Sequence, residues 1–510
     1  MSDLFQALKA AIPAPDRVLF ELGAAGAISY GEAFALSARL ANVLRGAGVT
    51  AGDRVAVQVD KSWQAVALYL ATLRAGAAFL PLNTGYTPAE IDYFLGDAKP
   101  RVLVCAPGQE EVLRPAAERA GVGRLLTLGG DGTGSLIDAA AGESEAFHDV
   151  PRGPGDLGAI LYTSGTTGRA KGAMLTQENL LSNALTLRQA WRFTGEDVLI
   201  HALPIFHTHG LFVAINTLML AGGTMIWMAK FDADAVLAAM PRATSMMGVP
   251  TFYTRLLDHP GLNRETAAHM RLFVSGSAPL LAETHRDFEA RTGHRILERY
   301  GMTEAGMITS NPYDGERRPG SVGPPLANIS VRVADPETAR VLPAGEIGVL
   351  EIKGPNVFKG YWGMPEKTAE EFRSDGYFIT GDIATIDEAG YVTIVGRAKD
   401  LIITGGYNVY PKEVESEIDA LPGVVESAVI GVAHPDLGEG VTAVVVAAPG
   451  AALSKETVAA ALEGRLARFK QPKSVVIVDS LPRNSMGKVQ KNLLRERYAD
   501  IYAPDPASAH

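Results

Sequence analysis

The sequence predicts an α/β fold, with a large N-terminal portion of several α/β subdomains followed by a small C-terminal α+β domain. Its 510 residues, 47% hydrophobic and 20% charged, describe a globular chain too long for one core and suggest about three or four domain-sized units. Short apolar runs alternate with amphipathic helical stretches over the first several hundred residues, the pattern of a parallel or mixed sheet. Near the end, Gly396-Arg397-Ala398-Lys399-Asp400 forms a polar, flexible joint, after which strands and helices alternate over roughly a hundred residues, enough for one small domain. The expected division is therefore 1–396, a joint at 397–402, and 403–510.

In chain order, Tyr30 to Ala47 reads as a helix, Arg54 to Val59 as a strand and Ser62 to Ala75 as a second helix. Thr87-Pro88-Ala89-Glu90 has the form of a capping box with proline at the first helical position, opening a helix that ends near Asp97. Val102 to Cys105 reads as a buried strand, and Gly129 to Gly155, rich in Gly, Asp, Ser and Ala, as a connection. Ala159-Ile160-Leu161 then looks like a strand feeding the loop LYTSGTTGRAKG, residues 161 to 172.

In that loop Thr163, Ser164, Thr166 and Thr167 offer hydroxyls, Gly165, Gly168 and Gly172 allow tight turns and close approach, and Lys171 supplies a positive charge. This is the chemistry of a polyphosphate cradle, and ATP is the obvious occupant. The Walker loop is excluded, because Ala170 stands where that motif needs Gly and Gly172 where it needs Ser or Thr. A plain Gly/Ser/Thr surface loop is the competing reading.

Composition narrows the function further. A net charge of −10 gives no basic footprint, so nucleic acid is not an expected partner. The single cysteine, Cys105, excludes an intrachain disulfide and a cysteine-rich metal site, which suits a reducing compartment. The N-terminal stretch lacks a signal-type apolar segment, and no run of about 18 apolar residues occurs, so no membrane partner is expected and the cytoplasm is the simplest location.

After the loop, Thr176 caps a helix running through Arg188. ALPIFHTHG places His207 and His209 two apart, suited to a strand or a turn; a metal pair and two satisfied structural histidines both remain open. In GVPTFYTRLL a helix capped at Thr251 carries Phe252, Arg255 and Leu256 as neighbours. Arg255 either snorkels to the surface or points inward, where its fork would demand a carboxylate on the ligand. RLFVSGSAP is a buried strand ending in the small-residue turn Gly276, Ser277, Ala278, and ERYGMTEAG a strand end followed by the oxygen donors Thr303 and Glu304, of the type Mg²⁺ takes. Asp382 at a strand end can accept from a cis-diol. Arg465, Arg468, Lys470 and Lys473 either meet phosphates or form a solvated face.

The order of LYTSGTTGRAKG, ERYGMTEAG, the Gly381-Asp382 pair, Arg397 and LPRNSMGKVQK resembles the adenylate-forming superfamily of acyl-CoA synthetases, peptide-synthetase adenylation domains and luciferases. The resemblance implies ATP and coenzyme A as co-substrates and Mg²⁺ as cofactor. It implies a catalytic Lys488, Glu304 on Mg²⁺, Thr303 at the α-phosphate, and His207 as the gate between nucleotide and acyl group. Gly276, Ala278, Glu298 and Tyr300 would lie around the nucleotide, Asp382 and Arg397 on the ribose, and Gly405 and Gly406 on the path of coenzyme A. Lys399 would be the hinge on which the small domain moves, and acylation of Lys488 by an acyltransferase would switch the enzyme off. LIHALPIFHTHGLFV and GVPTFYTRLL, with Arg255 and Ser277 as carboxylate partners, resemble the malonyl-CoA synthetase branch, which implies malonate or methylmalonate as the acid. Another short-chain carboxylate–CoA ligase, an adenylation enzyme charging a carrier protein, and a non-catalytic nucleotide-binding protein are the alternatives.

Overall fold

A computed structural model describes residues 3–12, 14–163, 170–405, 407–451, 453–463, 465–484 and 487–503. The chain forms two compact units, Met1–Ser330 with Ile352–Phe378, and Val331–Glu351 with Ile379–His510.

The first unit holds two sheets. A six-stranded sheet runs in the order Arg124–Thr127, Val102–Cys105, Arg54–Gln58, Ala78–Pro81, Leu157–Thr163, Lys171–Thr176, parallel except for the last pair. Its strands are apolar on both faces, as a doubly covered parallel sheet requires, and Ala56, Leu103 and Ile160 pack with Ile91, Phe94 and Leu95 of the covering helix Pro88–Ala98. An eight-stranded sheet has five parallel pairings in its centre and an antiparallel pair at each edge, Gly306–Ser310 on Leu297–Met302 at one and Val18–Glu21 on Ala27–Ser29 at the other. Tyr253, Phe273 and Phe288 fill the core beside it, their rings meeting edge to face.

Local signals set the helix ends. Thr87 and Glu90 form the expected capping box of Pro88–Ala98, and Thr176 with Asn179 forms one for Gln177–Ala190. The helix expected to be capped at Thr251 instead begins at Pro250, after Val249, because proline suits the first helical turn and needs no N–H partner there. The connection from Gly129 to Gly155 contains a short helix, Ser135–Ala140.

The second unit holds a four-stranded sheet in the order Ser330–Ala334, Gly348–Lys353, Phe378–Ile386, Val392–Arg397 and a five-stranded one centred on the long antiparallel pair Val424–His434 and Gly438–Ala447, with Ser474–Val478 added in parallel. Helix Pro411–Asp419 lays Val414 and Ile418 against the apolar face of that pair. Gly381-Asp382 lies inside its strand, where the left-handed φ of Gly381 (70°) and a register shift between Ile383 and Ala384 bend the chain.

Candidate active site

The strands flanking the loop expected to hold polyphosphate pair antiparallel: Thr163 at the end of one pairs with Lys171 at the start of the next, and its hydroxyl donates to the Lys171 carbonyl at 3.4 Å. Ser164, Gly165, Thr166, Thr167 and Gly168 lie outside the described residues. Segment 360–362 runs beside the second strand, with Met174 N–H donating to Gly360 O at 2.9 Å and Trp362 N–H to Gly172 O at 2.7 Å. This places the Tyr361 ring under the Lys171 ammonium, 3.9 Å from Nζ to the ring centroid. Lys171 Nζ also pairs with Glu371 Oε1 at 2.9 Å.

Thr303 and Glu304 sit in the loop Thr303–Ala305 that joins Leu297–Met302 to Gly306–Ser310, and Gly306 closes it at φ 58° in the left-handed region that such short hairpins use. The Glu304 carboxylate is buried and lies 3.1 Å from the Tyr361 hydroxyl, which also lies 2.7 Å from Glu371 Oε2. One phenol therefore links the lysine of the phosphate hairpin to the acidic residue of a distant loop. Among the described residues no group of three or more His, Cys, Asp or Glu could hold a metal. Glu304 with Thr303 nonetheless fits Mg²⁺, an oxygen-seeking ion that completes its shell from phosphates and water.

On the other side of the same strand end lies a second cluster. Arg299 is 3% exposed, and its Nε and Nη2 have no hydrogen-bond partner among the described residues. Burial pushes its guanidinium down to about 9, so it remains a cation at neutral pH. A Cβ added at Gly276 would stand 2.3 Å from Arg299 Cζ, so glycine at 276 makes room for this guanidinium. Next to it Ser277 takes a left-handed φ of 72°, a strained conformation for a side-chain-bearing residue, and its hydroxyl lies 3.2 Å from His209 Nδ1. His209 is buried, and desolvation first, then Arg299, His207 and His201, hold it well below the usual histidine range, so the ring is neutral. Its Nε2 also lacks a partner among the described residues.

His209 opens a π-helical stretch, His209–Asn216, where a strand or turn was expected. Such segments gather at functional sites. His207 is half-buried, and its Nδ1 accepts from His209 N–H at 3.3 Å. Arg255 is exposed in the last turn of Pro250–Asp258; its inward reading is not what the structure shows, because the face of that helix turned to the core carries Tyr253 and Leu256. Glu298 is buried, and its Oε1 accepts from Leu280 N–H at 3.1 Å, bracing the loop that carries Gly276, Ser277 and Ala278. Tyr300 and Ala278 are half-buried.

Within the second unit, Asp382 is buried and pairs across the strands with Arg397, Nε to Oδ1 at 2.8 Å. Lys399 lies in the short turn Ala398–Asp400, and Asp400 meets Arg495 at 2.7 Å. Gly405 donates its N–H to Leu437 O at 2.8 Å; Gly406 lies outside the described residues. Lys488 is exposed on a tight turn in which its N–H donates to Asn484 Oδ1 at 3.0 Å and Asn484 N–H donates back to Lys488 O at 2.9 Å. Of the basic residues, Lys470 pairs with Glu413 at 2.5 Å and Arg465 with Glu417 at 3.6 Å, the solvated-face reading for these two.

Sequence reasoning missed Arg299, Tyr361 and Glu371. Arg299 stands inside ERYGMTEAG, and an arginine next to a glutamate looks like half of an ion pair; the signal against that was the apolar strand around it. Tyr361 and Glu371 carry no local signal, since both act across long sequence separations.

Residues 9–362 match the AMP-binding enzyme family, and residues 413–488 match the AMP-binding enzyme C-terminal domain. A feruloyl-CoA synthase of Amycolatopsis sp is 40% identical over 476 residues, covering 92% of this chain and 94% of the relative. A mitochondrial malonate–CoA ligase of Mus musculus is 36% identical over 483 residues, covering 88% of this chain and 82% of the relative. The crystal structure of ATP-bound MatB from Rhodopseudomonas palustris superposes with a TM-score of 0.97 at 62% identity, over 98% of this chain and all (100%) of that one.

Proposed function

Because the chain belongs to the AMP-binding enzyme family and is an AMP-forming acyl-CoA synthetase, we propose that the acid it activates is malonate, with methylmalonate as the nearest relative it accepts. The observation that supports a dicarboxylate is Arg299, a buried cation with two nitrogens unpartnered among the described residues, set against Ser277 and the neutral His209. An uncompensated buried charge costs several kcal/mol. A second carboxylate on the substrate supplies the missing anion and can accept from the Ser277 hydroxyl, while a monocarboxylic acid leaves the guanidinium unmet.

The reaction reading follows the chemistry of the residues. In the first half-reaction the near carboxylate attacks the α-phosphorus of ATP, giving acyl-adenylate and pyrophosphate. Lys171 and the hydroxyl loop hold the departing phosphates, Thr303 lies by the α-phosphate, and Asp382 with Arg397 takes the ribose. Glu304 would hold Mg²⁺, which when bound neutralises phosphate charge. Lys488 supplies charge to the phosphoryl oxygens in this step alone, and a rearrangement hinged at Lys399 then opens the path past Gly405 and Gly406 for coenzyme A, whose thiolate attacks the acyl carbonyl, breaks the acyl–phosphate bond and releases AMP. His207 gates the two sides. Acylation of Lys488 would remove that charge and stop the first step.

The test is Arg299→Met assayed on malonate and on butyrate. Loss of about a hundredfold or more in kcat/KM for malonate, with butyrate changed by no more than about threefold, is the expected split. Equal losses on both acids remove the dicarboxylate reading and leave an aromatic or aliphatic monocarboxylate, ferulate included, as the acid.

A further inference from the structure

The Tyr361 phenol stands between two carboxylates. Glu304 and Glu371 bring two carboxylates to one phenol, and the phenol has one proton to give. The cation that meets both the tyrosine ring and a carboxylate is Lys171, which belongs to the phosphate hairpin. Lys171 and Glu371 are both mostly buried, with side chains 14% and 21% exposed, so their pairing is not a loose surface contact. Lys367 reaches the same carboxylate at 3.4 Å from the solvent side, and can keep Glu371 company when Lys171 leaves.

Resting on the reading above, we propose that Glu371 is an internal counter-ion that holds Lys171 in place until a polyphosphate displaces it, and that Tyr361 is the positioning residue coupling this exchange to Glu304. While Lys171 sits on Glu371, the phenol proton is divided between two carboxylates, at 2.7 and 3.1 Å. When phosphate oxygens take Lys171, Glu371 loses its nearer cation and attracts the phenol proton more strongly. The phenol's contact with Glu304 Oε1, the longer of its two, weakens in step. Anion binding thus prepares the acidic side of the site, with no covalent step and no net proton transfer.

The experiment measures binding of inorganic pyrophosphate to the full chain by calorimetry, with chelator present and then with Mg²⁺. Glu371→Gln keeps the shape and removes the competing charge, so metal-free pyrophosphate binds about three- to tenfold more tightly than to the parent protein. The same substitution in a Lys171→Gln background gives no gain, a result that a merely structural role for Glu371 does not produce. Tyr361→Phe leaves metal-free binding unchanged within about twofold but raises the Mg²⁺ concentration needed for half-maximal enhancement by about fivefold or more. Unchanged or weaker pyrophosphate binding in Glu371→Gln overturns the counter-ion, and an unchanged Mg²⁺ requirement in Tyr361→Phe overturns the coupling. If the parent protein binds no pyrophosphate and releases no AMP with any acid, the enzymatic reading itself has failed; if it does both and the variants do not differ, the counter-ion alone has.

Discussion

Gly276 and Arg299 occupy adjoining space so tightly that a single methyl at 276 would collide with the guanidinium. Gly276→Ala therefore tests the proposed carboxylate site without touching its charge: displacement of Arg299 lowers kcat/KM for malonate about ten- to a hundredfold, and lowers it more than kcat/KM for butyrate. Lys488 belongs to the same scale. Lys488→Ala is expected to lower adenylate formation by about a hundred- to a thousandfold and to leave thioester formation from supplied malonyl-adenylate largely intact; parallel loss of both steps contradicts a charge needed in the first alone. At this scale residue type alone singles out Lys171 and Glu304, and the structure brings both to Tyr361. Residue type is silent where a partner comes from far away: Arg255, visible in its helix, is exposed, while Arg299 is the arginine the fold buries.

Elements whose ends are set by neighbouring residues were legible. The capping boxes at Thr87 and Thr176 close over three residues and need no tertiary information. Thr87→Ala is expected to cost roughly 1 kcal/mol, read as a lowered unfolding midpoint with activity unchanged in the surviving folded protein. The π-helical stretch His209–Asn216 was not legible, because tertiary bonds hold it. His201 Nε2 lies 2.9 Å from Gly210 O, and a Cβ at Gly210 would stand 2.0 Å from Pro204 O. Behind this sits Lys61, whose Nζ lies 2.8 Å from His201 Nδ1 and donates to the carbonyls of His201 and Met228 at 2.8 and 2.7 Å, joining the two sheets of the first unit. Lys61→Met leaves the Met228 carbonyl without this donor, an unmet bond costing about 1–3 kcal/mol, while the His201 carbonyl keeps the Met228 N–H at 3.1 Å. A fall in the unfolding midpoint is expected, and an unchanged midpoint contradicts the clamp.

Across the whole molecule, burial keeps His201 and His209 well below the ordinary histidine range, and His285 and His294 below it to a lesser degree. The unfolded chain takes up protons on these rings below about pH 6.5 and the folded chain resists them. Unfolding free energy therefore falls as the pH drops below that value, by up to about 1.4 kcal/mol per pH unit for each ring that stays neutral when folded, and these rings add no pH dependence above it. Unfolding midpoints measured from pH 7.5 to 5 check the sign, and a flat profile contradicts it. No helix among the described residues is long and apolar enough to cross a membrane. The central claim, that a buried cation selects an acid with a second carboxylate, is tested most directly by AMP release with ATP and coenzyme A across malonate, methylmalonate, butyrate and ferulate. The account requires malonate to lead, methylmalonate to follow and the two monocarboxylates to trail far behind; ferulate or butyrate in front contradicts it.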